Sequence, residues 1–100
     1  MNTFQRSDLI KVTKLHWGKN RLGGIFINEE NWLARREGAL GLVMGMNALA
    51  NDVYFVAHCK EGKPTMAVYG ADEIESVEDR PAKMNLLLEL KRAQLRSSKE

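Results

Sequence analysis

The chain has a single cysteine, Cys59, in 100 residues. It can form no internal disulfide, and a reducing, cytoplasmic setting is expected. No charged-then-apolar leader opens the sequence. No apolar run approaches the roughly 18 residues that a membrane span needs. Charge of one sign is not in surplus either: 15 Lys/Arg against 13 Asp/Glu leave +2, too little to require a polyanionic partner.

Motifs that would carry chemistry are also missing. There is no Cys-x-x-Cys or His-x-x-x-His spacing. His58 and Cys59 are adjacent in a predicted strand, where neighbours point to opposite faces, so they cannot share one metal ion. Gly38-x-x-Gly41-x-x-x-Gly45 lacks the Lys-Ser/Thr ending of a phosphate loop, and no Gly-x-Ser-x-Gly elbow occurs. Glu61-Gly62-Lys63 suggests the carboxylate-x-lysine element of metal-dependent nucleases. Its one conceivable second carboxylate, Asp52, stands at the other end of the same predicted strand. The expectation is therefore no enzyme, no catalytic residues, no metal and no cofactor.

What remains is ordinary globular composition, 44% apolar and 28% charged. It fits one domain over residues 1–96 with a frayed tail at 97–100. Asp8–Leu15 alternates with period two and reads as a strand. Leu22–Ile27 reads as its hairpin partner across Gly18-Lys19-Asn20. Asn28 followed by Glu29 and Glu30 suits a helix start. The apolar pattern predicts that this helix continues toward Ala50, with Ala34, Gly38, Gly41, Gly45 and Ala48 on one small-residue face. Val53–Cys59 and Thr65–Tyr69 predict a second hairpin, with Gly70 ending it. Ala71–Val77 suits two helical turns, and Pro81 suits the first turn of a last helix. The expected fold is α+β: a mostly antiparallel four-stranded sheet covered on one face by helices, in the order β-β-α-β-β-α-α.

Two surfaces offer function. The last helix carries two apolar stripes: Met84, Leu87, Leu88 and Leu95, and Ala82, Leu86, Leu90 and Ala93. That is more than one sheet face requires. With Leu88 placed toward the sheet, Leu86, Leu90 and Ala93, together with Gly41 and Gly45, become the candidate interface for a protein partner or a homodimer. The alternative is weak nucleic-acid binding. Residues 1–28 hold five Lys/Arg and one Asp, and Lys11, Lys14, Lys19 and Arg21 beside His16 and Trp17 could contact phosphates and stack bases.

The segments Asn31-Trp32-Leu33-Ala34-Arg35-Arg36-Glu37-Gly38-Ala39 and Tyr69-Gly70-Ala71-Asp72-Glu73-Ile74 add a resemblance. With them the chain resembles small accessory proteins of temperate tailed phages of enteric bacteria, over most of its length. The resemblance carries no active-site residues. It implies a cytoplasmic regulatory accessory that binds a host or phage component.

Overall fold

The structure is a computed structural model that describes residues 4–18, 27–46 and 52–98, the last three by backbone alone. Among the described residues it is an α+β fold built on five strands: β1 (Leu9–Val12), β2 (Leu40–Met46), β3 (Val53–Lys60), β4 (Lys63–Gly70) and β5 (Ile74–Ser76). Two helices accompany them, α1 (Glu29–Leu33) and α2 (Arg80–Ser98). The sheet is antiparallel throughout, in the order β4-β3-β2-β1-β5.

The β3–β4 hairpin forms where the alternation placed it, with Val53 opposite Gly70 and Lys60 opposite Lys63. Its turn uses Glu61 and Gly62, both at positive φ (51° and 76°). Asn28 caps α1: its Oδ1 accepts from the Glu30 N–H at 2.8 Å. Asp79 caps α2 in the same way, accepting from the Ala82 N–H at 3.0 Å. Pro81 is the second helical residue, where no backbone donor is needed. The helix runs on through Ser97 and Ser98.

Three expectations are corrected. The first is the long helix, which ends at Leu33. Gly38 stands at φ 81°, a conformation suited to a turn rather than a helix interior. Residues 40–46 then form the central strand β2. The glycine spacing that mimics a helix face has another cause at Gly41. A Cβ there would lie 2.3 Å from Val56 Cγ1 and 2.9 Å from the His58 ring. Strand pairing on both sides overrides a local sequence that lacks β-branched residues apart from Val43.

The second correction concerns β1. It does not take its expected hairpin partner but lies between β2 and β5. Residues 22–26 of that partner lie outside the described residues, and Ile27 sits in a bend. The third concerns residues 71–77. A 3-10 turn at Ala71–Glu73 leads straight into β5, whose Ile74 pairs with Val12. The sheet thus gains a fifth strand at its edge.

Both sheet faces are covered. On one, Ile10, Val12, Val43, Tyr54, Val56, Ala67, Tyr69 and Ile74 pack with Phe4, whose ring meets Tyr54 edge-on at 5.3 Å. On the other, Leu9 and Leu42 pack beneath α2 through Leu86, with Cys59, Ala82 and Leu90 around them. Trp32 of α1 joins Val53 and Val68, flanked by Ile27 and Phe55. Each of these large side chains contributes about 1.5–3 kcal/mol by leaving water.

Candidate functional site

The expected roles of the two α2 stripes are exchanged. Leu86 (8% exposed) and Ala93 (2%) are buried against the sheet, and Leu90 packs beside them. Leu88 (47%) and Leu95 (56%) face outward with Met84 and Leu87. Leu86 and Ala93 therefore have no surface left to offer a partner. Gly41 is closed off as well, buried beneath the Val56 and His58 side chains. Gly45 has open space around its Cα but lies in β2, away from the outward stripe. The signal for the correct face was Lys91, which lies between Leu87 and Met84 on the wheel. A lysine inside an apolar stripe marks that stripe as the one in water.

Beside α2 runs a groove of about 430 Å³ lined by Met44, Ala57, Pro64, Thr65, Met66, Leu90 and Gln94. Met44 and Met66 are both exposed, so the groove has an adaptable, apolar lining. The groove meets α2 at Leu90 and Gln94, on the flank of the helix next to Leu87.

The ionisable side chains cluster elsewhere, inside the fold. His58, Tyr69, Arg35 and Glu73 are all buried. His58 Nδ1 lies 2.7 Å from the Leu40 carbonyl, and Nε2 lies 2.7 Å from the Tyr69 hydroxyl. A carbonyl only accepts, so Nδ1 carries the proton, and Nε2 accepts from the Tyr69 O–H. The Tyr69 oxygen in turn accepts from the Arg36 N–H at 2.9 Å. Burial lowers the His58 pKa below 6.5, aided by the charge of Arg36 and opposed by the Leu40 carbonyl. Burial likewise raises the Tyr69 pKa above 10, opposed by the Arg36 N–H and the two arginine charges.

Next to this relay, Arg35 forms a buried ion pair with Glu73. Glu73 also accepts from the His16 N–H at 2.7 Å and the Gly70 N–H at 2.9 Å. Arg35 donates to the His16 carbonyl at 3.0 Å and lies over Trp32, with its Cζ 4.3 Å from that ring centroid. One charged pair thus ties together the segments after β1, after α1 and after β4. Sequence reasoning passed over Arg35, Tyr69 and Glu73. Glu73 was one of five acids between Asp72 and Asp79, and only the fold shows which of them turns inward.

Four of the nucleic-acid candidates, Lys11, Lys14, His16 and Trp17, fall among the described residues. Trp17 is 55% exposed, meets Trp32 edge-on at 5.6 Å and lies beside the Arg35 guanidinium. His16 is partly buried near Asp72, at 3.9 Å. Lys14 is exposed, and Lys11 is exposed on β1 opposite Leu40 and Glu75. Lys19 and Arg21 lie outside the described residues. Among the described residues no three His, Cys, Asp or Glu side chains converge as a metal site. No helix among them is long and apolar enough to cross a membrane. Comparison with protein-family models, curated proteins and solved structures finds no match.

Proposed function

We propose that this domain is a non-catalytic protein-binding module whose contact surface is the outward face of α2 with the adjoining methionine groove. The carrying observation is that Met84, Leu87, Leu88 and Leu95 all remain exposed on one helix while its opposite face is already packed. These side chains are about half covered, so completing their burial would supply roughly 3–6 kcal/mol from this side alone. That is a useful share of the association cost. The burial of His58, Glu73, Arg35 and Tyr69 supports the non-catalytic reading, because these ionisable side chains are not presented at the surface. The resemblance to phage accessory proteins makes a host or phage protein the natural partner.

The test is site-specific photo-crosslinking in the cells that make the protein. A photoreactive residue at Leu88 or Leu95 should give a discrete protein adduct, while one at exposed Lys63 on β4 gives none. Absence of an adduct at all four stripe positions overturns the reading.

A second reading, binding of single-stranded nucleic acid, draws on the exposed ring of Trp17 and on exposed Lys14 three residues before it. Phosphate contacts weaken steeply with salt, and an apolar protein contact does not. Titration with an oligonucleotide at two ionic strengths, read by tryptophan fluorescence and repeated with Trp17→Ala, separates the two.

A further inference from the structure

We propose that the cavity between α2 and the start of β2 binds a free α-amino acid with an apolar side chain. The cavity holds about 400 Å³, within the roughly 300–1,000 Å³ of small-ligand sites. One wall is α2, through Ala82, Asn85, Leu86 and Glu89. The other carries Arg36, from the connection between α1 and β2, and Leu40 at the start of β2. Asn85 and Glu89 stand about 100° around the helix from Met84, Leu88 and Leu95, so this site is separate from the outward stripe.

The charges select the ligand. Arg36 and Glu89 line the same cavity, and among the described residues neither enters an ion pair with the other or with a third side chain. An anion alone would meet the Glu89 carboxylate, and a cation alone would meet the Arg36 guanidinium. A ligand with one charge of each sign satisfies both, and it has one direction: carboxylate to Arg36, ammonium to Glu89. The Asn85 amide, one turn before Glu89, offers both a donor and an acceptor beside them. Leu86, buried, with Ala82 and Leu40 supplies the apolar floor. In an α-amino acid the carboxylate, the ammonium and the side chain leave one carbon in three directions, which is the set of contacts these walls provide. Arg36 is anchored from behind, since its backbone N–H donates to the Tyr69 hydroxyl at 2.9 Å. That hydroxyl belongs to the buried relay ending at His58.

The test is titration of the full chain with L-leucine, followed by amide NMR. Saturable shifts are expected at Arg36, Asn85 and Glu89. L-Leucinamide lacks the carboxylate and N-acetyl-L-leucine lacks the ammonium, and each should bind about tenfold more weakly. Arg36→Gln should abolish the preference for leucine over leucinamide and keep the preference over N-acetyl-leucine. Glu89→Gln should do the reverse. A preference is a ratio measured within one folded protein, so a change in stability cannot imitate its loss. Absence of saturable shifts with leucine, methionine and phenylalanine overturns the proposal. So does equal binding of the three leucine compounds, or a pair of variants that leaves both preferences intact. None of these outcomes bears on the protein-binding reading, which crosslinking at Leu88 and Leu95 tests separately.

Discussion

Replacing Glu73 by glutamine should be the most damaging single-atom change in this domain. The substitution keeps the shape and one carbonyl oxygen but removes the charge. Glu73 receives three interactions: Arg35, the His16 N–H and the Gly70 N–H. One amide oxygen cannot serve both sides, and the new NH2 group would point donors at donors. Arg35 would then be left inside the fold, 3% exposed, with its counter-charge gone. Breaking a buried pair from one side costs about 3–5 kcal/mol. Against a total of about 5–15 kcal/mol for a domain of this size, that is a large share. It should lower the melting temperature by roughly 12 °C or more, at about 4 °C per kcal/mol. Urea unfolding followed by tryptophan fluorescence reads it directly, because Trp17 and Trp32 flank Arg35. The double variant Glu73→Gln with Arg35→Met removes both charges and should recover part of the loss. A single variant within about 1 kcal/mol of wild type would refute the assignment of this pair as the tie between the three segments.

Three further outcomes follow from the packing and the relay. Leu86→Lys should unfold the domain or come close to it, whereas Leu88→Lys should melt with the wild type, since only Leu86 is buried under the sheet; thermal melts of both decide the face assignment. Gly41→Ala should cost about 1–3 kcal/mol, because its methyl would meet Val56 and His58, while Gly45→Ala, with nothing within 4 Å, should be close to neutral by urea unfolding. His58 is held neutral in the fold, so the unfolded chain binds more protons below pH 6.5; stability is fully present above that pH and falls as acid approaches the lowered native pKa. Urea midpoints at pH 7.5 and 5.5, with the His58 ring followed by NMR, check the sign, and a ring that titrates at or above its ordinary 6.5 would contradict it.

Much of the fold was legible because local signals and tertiary demands agreed. The β3–β4 hairpin shows period-two alternation and a Gly-containing turn, and the structure keeps both while extending the strands to Val53–Lys60 and Lys63–Gly70. Asn28 with its two following glutamates, and Pro81, mark both helix starts for the same reason. The failures fall where a neighbour decides. Nothing local distinguishes Leu40–Met46 as strand from the same residues as buried helix, because a short apolar run with glycines satisfies either period. Its state is set by Ile10 on one side and Val56 on the other, through pairings that span much of the chain. Ile74–Ser76 is strand for a similar reason: three residues do not announce themselves, and the open edge of β1 recruits them.

The site was legible only in outline, and α2 shows why. Two apolar stripes on one helix are visible in the sequence, but which one faces the sheet depends on the angle at which the helix arrives. Asp79 and Val77 fix that arrival: the Val77 N–H continues the β5 ladder by donating to the Leu9 carbonyl at 2.9 Å, and Asp79 starts the helix two residues later. So short a connection leaves α2 little freedom to rotate, and it presents Ala82, Leu86, Leu90 and Ala93 to Leu9, Leu42 and Ala57. The small residues among them are the ones that permit a close approach to the sheet, as Ala93 does at 2% exposure. The long side chains of the other stripe, Met84, Leu88 and Leu95, would hold the helix farther out. A stripe containing alanines is thus the better internal face, and the stripe of long side chains interrupted by a lysine is the better external one. By that rule the outward position of Leu88 follows from Ala82, Ala93 and Lys91, and a contact surface there costs the core nothing.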